Sequence, residues 1–184
     1  DAIPPEHWDN ILVSTDDEHI IEKCKQLGLS CLTRSANTCG DTASTKAVII
    51  ESLPSLKKKY IIMLYLTYPE RTWDKVMGAI AFYKASNARS MLCRKTLKTS
   101  PYLMMYRDGL KGKQLIKHDL YRRQEYPECF EISHYVTIMT TKEINNLNNN
   151  LYNEDTFFYP IDSVIDIDTE SDMENFNATN KNNS

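Results

Sequence analysis

The chain has 184 residues, of which 41% are hydrophobic and 26% charged, and its formal net charge at pH 7 is -3. This length and composition fit one soluble globular domain, and the acidic balance argues against a nucleic-acid-binding protein, which needs a basic surface. The sequence contains no apolar run of membrane-spanning length and no signal-like start, so we expect a cytoplasmic protein with no membrane partner. Its five cysteines and four histidines are scattered, which favours free thiols over a disulfide framework or a zinc site.

The first predicted elements form a strand–helix–strand unit. The apolar run 11–13 predicts a buried strand. A helix follows, which one of the residues 14–16 can cap and which ends at Gly28. A second short strand is predicted over 30–33, and the polar segment 34–45 follows it. Because ligands bind at the carboxyl ends of strands in open α/β sheets, this segment is placed to hold a small polar ligand.

The next part of the chain alternates predicted helices and strands. A helix over 42–53, capped by Asp41 or Thr42, precedes the apolar run 60–66. Continuous apolar character is typical of a central strand that is covered on both faces. An amphipathic helix over 73–85 follows.

The second half of the chain begins with a predicted strand over 90–93. Residues 95–115 then predict a hairpin-like excursion that turns at 107–109, of the kind that makes lids or dimer contacts. A strand over 131–139 and a helix over 142–147 follow it.

Two polar clusters are candidates for ligand binding. Arg122, Arg123 and Gln124 offer the fork-shaped donors that suit a carboxylate or a phosphate, although a solvated arginine pair also explains them. Asp166 and Asp168 alternate along an extended segment and therefore share one face. Such a pair suits Mg2+ with substrate phosphates completing its octahedron, and an acidic surface segment is the alternative.

Four motifs carry a resemblance to a known family: STDD at 14–17, R-x6-DTAST at 34–45, RRQ-x-x-P at 122–127 and IDIDTExD at 165–172. In this order and at these spacings they resemble the cytidylyltransferases that activate acidic sugars, the CMP-N-acylneuraminate (sialic acid) synthetase family. Thr67, Pro69, Arg71 and Thr72 also keep the register of a family loop, whereas Tyr65 stands where the family has a glutamine.

The resemblance implies an α/β, Rossmann-like nucleotidyltransferase fold with a mostly parallel central sheet flanked by helices and a small dimerisation or lid excursion. It implies one cytidylyltransferase-like domain over 1–176. The Asn-rich tail over 177–184 has too little apolar content to pack, so we expect it to be disordered. The family's glycine-rich phosphate loop has no counterpart before residue 11, so we expect this domain to be N-terminally incomplete. A homodimer is also implied.

The implied reaction joins CTP to an acidic nine-carbon sugar and gives a CMP-sugar and pyrophosphate, with Mg2+ as cofactor. The resemblance assigns the nucleotide to Arg34, Ala43, Ser44 and Thr45, the acidic sugar to Arg122, Arg123, Gln124 and Tyr135, the metal to Asp166 and Asp168, and catalysis to Arg123 and Asp168. For Tyr135, a tyrosine of the core is the alternative. A non-catalytic relative that binds nucleotide or sugar weakly, or acts as a partner subunit, is the alternative for the whole protein.

Overall fold

The computed structural model describes residues 3–40, 42–162 and 164–181. In these ranges no helix is long and apolar enough to cross a membrane, and all five cysteines are free thiols. The helices and strands are, in chain order, β1 (Leu12–Thr15), α1 (Glu18–Leu27), β2 (Ser30–Thr33), α2 (Thr45–Ser52), β3 (Tyr60–Met63), α3 (Trp73–Ser86), β4 (Ser90–Thr96), β5 (Met105–Asp108), β6 (Lys111–Gln114), β7 (Phe130–Thr140), β8 (Phe157–Pro160) and α4 (Glu170–Lys181).

The N-terminal strand–helix–strand unit is the one that the sequence predicts. Strands β1 and β2 pair in parallel, and α1 ends at Gly28, whose φ of 69° is the left-handed conformation that favours glycine. The cap differs from the prediction. Asp17, not one of the residues 14–16, accepts hydrogen bonds from the backbone N–H groups of His19 and Ile20 at 2.7 and 3.0 Å. The cap therefore lies one residue beyond the last of the three predicted positions, residue 16.

The main sheet has four strands in the order β3-β7-β4-β8. Strand β7 is antiparallel to β3 and to β4, and β8 is parallel to β4. Three strands therefore run in one direction with one reversed strand between them, and the sheet is mixed, not mostly parallel. The chain enters β7 from the β5–β6 excursion without a crossover helix, as antiparallel neighbours permit.

Strand β3 is shorter and more exposed than the apolar run 60–66 predicts. It ends at Met63 and lies at the edge of the sheet, where β7 is its neighbour. Tyr60 and Ile62 are 49% and 41% exposed. The prediction of a central strand covered on both faces is therefore wrong for the described residues, because local apolar character does not report which strands lie beside it.

Two groups of buried side chains hold the layers together. In the larger group, Val76 and Ala79 of α3 pack against Met91 of β4 and Val136 and Ile138 of β7. The smaller group fixes α2 on the other end of the sheet and consists of Ile49, Met139, Ile144, Leu147 and Leu151. Burial of these apolar surfaces positions α2 and α3 on the sheet.

The remaining differences concern short segments. The predicted excursion is a two-stranded hairpin, β5–β6, and all eight of its strand residues are exposed. A single 3-10 turn, Ile144–Asn146, replaces the helix predicted over 142–147. Strand β8 was not predicted. Helix α4 extends into the predicted disordered tail as far as Lys181.

Candidate functional site

Arg34 lies at the carboxyl end of the β1–β2 pair. Its backbone N–H donates to the carbonyl oxygen of Thr15 at 3.1 Å, and its guanidinium donates to the carbonyl oxygen of Ser14 at 3.0 Å. An ion pair of 3.7 Å joins it to Asp16. The side chain is still 32% exposed, so the contacts orient the guanidinium while leaving part of it open to a ligand.

The segment after Arg34 is tied to α2 by Glu51. This carboxylate accepts from the backbone N–H of Ser35 at 3.0 Å and from the hydroxyl of Thr38. These side-chain hydrogen bonds from Ser35 and Thr38 lower the pKa of Glu51 because they favour its charged form. Glu51 therefore anchors the loop of the predicted nucleotide site to α2, the helix whose first residue, Thr45, is the last residue of that site.

The end of this loop forms the start of α2. Ser44 caps the helix, and its hydroxyl accepts from the backbone N–H of Ala47 at 3.2 Å. Ala43 donates its backbone N–H to Gly40 at 3.3 Å. The prediction named Asp41 or Thr42 as the cap and residue 42 as the start, whereas α2 begins at Thr45; Asp41 lies outside the described residues.

Thr45, the first residue of α2, makes the contact that connects the loop to the main sheet. Its Oγ1 lies 2.5 Å from the hydroxyl of Tyr65, two residues beyond β3. The Tyr65 ring meets the ring of His134 on β7 edge-on, with centroids 5.6 Å apart. Tyr65 thus stands between the predicted nucleotide segment and β7.

The Asp166–Asp168 segment lies against the same loop after β3. The backbone N–H of Ile167 donates to the carbonyl oxygen of Thr67 at 2.9 Å. Asp166 is half-buried and Asp168 exposed, and the Asp166 carboxylate raises the pKa of Asp168. Two like charges are therefore displayed side by side beside Thr67, as the alternation in the sequence predicts.

This pair has the donor chemistry that Mg2+ requires. The Oδ1 atom of Asp166 is buried and has no hydrogen-bond partner among the described residues, which leaves a hard oxygen donor free for a cation. The described part of the chain contains no group of three His, Cys, Asp or Glu side chains that could hold a metal alone. The two carboxylates consequently fit an ion that takes its other ligands from water and substrate phosphates.

The wall behind Asp166 is a buried polar and aromatic cluster. The Tyr68 hydroxyl lies 3.3 Å from Ser133 Oγ, and burial raises the pKa of Tyr68, as does the nearby Asp166 carboxylate. The guanidinium of Arg71 lies over the rings of Tyr68 and Tyr135 at 5.3 and 5.2 Å, and its Nε donates to the carbonyl oxygen of Tyr135 at 3.1 Å. Burial lowers the pKa of Arg71.

Tyr135 itself belongs to this wall. It is 1% exposed and its ring meets Tyr68 edge-on at 5.4 Å. A side chain so buried presents no ring face to a sugar, and its placement favours the core alternative over the substrate contact. Its function at the site is to support Tyr68 and Arg71.

Arg122, Arg123 and Gln124 lie apart from these groups. They are exposed, and Arg123 and Gln124 fall in a 3-10 turn beyond the β5–β6 hairpin. Arg122 donates its backbone N–H to the Glu125 carboxylate of the same turn at 3.4 Å and Asp168 donates its own to Asp172 at 3.2 Å, so neither contact joins the two groups among the described residues. One chain therefore brings together the predicted nucleotide segment and the carboxylate pair, but not the predicted sugar-binding residues.

The sequence alone did not single out Tyr68, Ser133 or His134 as parts of the site. Their types are ordinary for strands and loops, and their burial beside Asp166 depends on the pairing of β7 with β3. Only the loop that contains Tyr68 carried a signal, since Thr67, Pro69, Arg71 and Thr72 keep the register of a loop in the resembling family.

The fold is α/β, and the placement of these residues puts its polar groups at strand ends. A family model described as Cytidylyltransferase matches residues 4–69, which include Arg34, the start of α2 and Tyr65. The chain is also similar to the solved structure of CMP:2-keto-3-deoxy-manno-octonic acid synthetase complexed with CTP, with a TM-score of 0.66 and 11% sequence identity over 95% of this chain and 82% of that chain. The two matches support the cytidylyltransferase superfamily and do not single out the sialic acid synthetases.

Proposed function

We propose that the protein is a cytidylyltransferase that joins CTP to an acidic nine-carbon sugar of the sialic acid type, giving a CMP-sugar and pyrophosphate. One observation carries the proposal. The loop after β3 binds both halves of the candidate site, Thr45 through the hydroxyl of Tyr65 and the Asp166–Asp168 segment through the carbonyl oxygen of Thr67. A nucleotide whose base lies near Thr45 would therefore have its phosphates on the side of the two carboxylates.

The reaction forms a bond between the anomeric oxygen of the sugar and the α-phosphorus of CTP, breaks the bond to the pyrophosphate oxygen and releases the hydroxyl proton. Arg34 and residues 43–45 bind the base. Asp166 and Asp168 would hold Mg2+, which would neutralise charge on the phosphates. Chemistry of this type depends chiefly on alignment and charge neutralisation.

The acidic sugar would be held by the guanidinium of Arg123 and the amide of Gln124, with Arg122 beside them. These side chains are exposed, and their described contacts do not reach the carboxylate pair within one chain. We therefore include a homodimer in the proposal. The excursion that precedes them supports it, since Leu110 is fully exposed and Met105, Tyr106 and Leu115 are each more than half exposed. Apolar side chains displayed together in this way mark interaction surfaces.

The same observation supports a second candidate of a different class. In this candidate, residues 122–124 reach the carboxylate pair neither within one chain nor from a partner chain. The protein then binds nucleotide without transferring the CMP group, as a partner subunit or a weak binder. The enzyme and the binder differ in turnover and not in affinity for CTP.

Pyrophosphate release measured with CTP, Mg2+ and N-acetylneuraminate tests the proposal. An eight-carbon 2-keto-3-deoxy acid serves as the second sugar, and UTP replaces CTP as the control nucleotide. We expect release with CTP and a nine-carbon acid, at least a hundredfold loss in Asp168→Asn because the phosphates lose a metal ligand, and no loss in Asp162→Asn, an exposed aspartate earlier in the same segment.

The outcomes separate the candidates. Release with the eight-carbon acid alone would correct the sugar and retain the reaction. A CTP-dependent rise in melting temperature without release for any sugar would identify the non-catalytic binder. The absence of both would contradict cytidylyltransferase function altogether.

A further inference from the structure

Tyr65 is the residue through which the nucleotide segment contacts the loop after β3. Its hydroxyl and the Thr45 hydroxyl are 2.5 Å apart, and its ring is held by the edge-on contact with His134 and by packing against the larger core group. The hydroxyl is therefore presented from a fixed ring. Thr45 is equally constrained, because it is β-branched and lies in the first turn of α2.

The chemistry of the two hydroxyl groups gives the hydrogen bond a preferred direction. Each group has one hydrogen to donate and lone pairs to accept. A phenol is a stronger acid than an aliphatic alcohol and is accordingly the stronger donor of the two. With Tyr65 donating and Thr45 accepting, the hydrogen of Thr45 is left to donate to a third group.

That direction matters for a pyrimidine base. On its pairing edge cytosine presents two acceptors, the ring nitrogen N3 and the oxygen O2, whereas uracil carries a hydrogen on N3. With its hydrogen turned away from Tyr65, the Thr45 hydroxyl faces the base as a donor and matches the N3 acceptor of cytosine. Opposite the N–H of uracil the same hydrogen meets another hydrogen, and the hydroxyl has to turn its remaining lone pair to the ring to form a hydrogen bond. Sites built in this way discriminate strongly, because the wrong ligand leaves buried polar groups unpaired.

We propose that Tyr65 is a specificity-determining residue for the base, which acts by holding the Thr45 hydroxyl as a donor. The inference rests on the proposed function, in which Thr45 meets the base. It assigns a role to the tyrosine that stands where the resembling family has a glutamine.

The test is the ratio of the dissociation constants of CTP and UTP, measured by calorimetry with Mg2+ on the full chain and on Tyr65→Phe, Thr45→Val and the double variant. The phenylalanine keeps the ring that contacts His134. We expect the wild type to prefer CTP and the preference to fall about tenfold in Tyr65→Phe, the loss of one oriented hydrogen bond. Because Tyr65 acts through Thr45, the double variant should lose no more than Thr45→Val alone.

Tyr60→Phe is the matched control, because it removes a tyrosine hydroxyl on β3 that lies 49% exposed, and it should leave the preference unchanged. An unchanged preference in Tyr65→Phe, or additive losses in the double variant, would overturn the inference and leave the proposed function intact. A wild-type chain that binds neither nucleotide would instead remove the proposed function and this inference together.

Discussion

The backbone N–H of Ile167 donates to the carbonyl oxygen of Thr67 at 2.9 Å and fixes the two carboxylates beside the loop after β3. Asp166 and Asp168 are the chain neighbours of Ile167, so their position relative to the loop depends on this bond. Replacement of Ile167 by proline removes the donor. We expect Ile167→Pro to lower the free energy of unfolding by about 1–3 kcal/mol and to abolish the Mg2+-dependent rise in melting temperature that we predict for CTP.

Ile167→Val is the control, since it keeps the N–H group and most of the side-chain volume. Thermal unfolding with and without CTP and Mg2+ measures both effects. A folded Ile167→Pro chain with the wild-type response to CTP and Mg2+ would show that the carboxylates do not depend on this bond.

Glu51 makes the stability of the predicted nucleotide loop depend on pH. Its pKa is lowered from an ordinary value of 4.5 by hydrogen bonds from Ser35 and Thr38, so in the unfolded chain the carboxyl binds its proton at higher pH than in the folded chain. Its contribution to stability is present above about pH 4.5 and is lost as the pH falls through the lower, folded value. We expect Glu51→Gln to be less stable than the wild type at pH 7 and the difference to shrink towards pH 3.

Urea unfolding at several pH values between 3 and 7 measures this difference. Glu22→Gln is a matched control, because Glu22 lies on the exposed side of α1 and pairs with Lys25 at 3.6 Å with both side chains more than half exposed. Such pairs contribute little. A difference in stability between Glu51→Gln and the wild type that does not change with pH would show that the charged form of Glu51 is not what anchors the loop.

Arg71 should tolerate lysine poorly. Its planar guanidinium lies over two tyrosine rings while its Nε donates to the carbonyl oxygen of Tyr135, and the ammonium group of lysine cannot reproduce this geometry. We expect Arg71→Lys to lower the free energy of unfolding by about 1–3 kcal/mol. Arg94 lies over the ring of Phe130 at 5.3 Å but is 33% exposed, so Arg94→Lys should change stability by less than about 0.5 kcal/mol.

Chemical denaturation of the two variants side by side checks this prediction. Equal losses in Arg71→Lys and Arg94→Lys would mean that burial between the two tyrosines adds nothing to the arginine contact. A larger loss at Arg94 would contradict the assignment of the wall behind Asp166.

Ile62 and Ile138 are paired neighbours in the main sheet and differ in burial. Ile138 of β7 is 2% exposed and Ile62 of β3 is 41% exposed. Truncation of a buried isoleucine removes transfer free energy and leaves a cavity, so Ile138→Ala should cost about 2–5 kcal/mol. Ile62→Ala should cost much less, because part of its surface already contacts water. Equal losses, measured by urea unfolding, would show that β3 is covered in solution.

The amino-acid sequence determined the local elements of this protein. The strand–helix–strand unit, the end of α1 at Gly28 and the boundaries of α3 within one residue follow from short-range features: apolar period, capping residues and the left-handed conformation of glycine. The β5–β6 hairpin was also predicted, but its turn lies at 109–110 and not at 107–109. The alternation that places Asp166 and Asp168 on one face is of the same kind. Each of these features depends on residues within a few positions of one another.

Tertiary structure decided what depends on distant neighbours. The insertion of β7 between β3 and β4 made the sheet mixed, left β3 at the edge and buried Tyr135 in the core. It also brought His134 to Tyr65 and so linked the predicted nucleotide segment to the wall behind Asp166. Strand order and burial arise from pairing between segments more than thirty residues apart, and the period of a single segment carries no information about which strand will lie beside it.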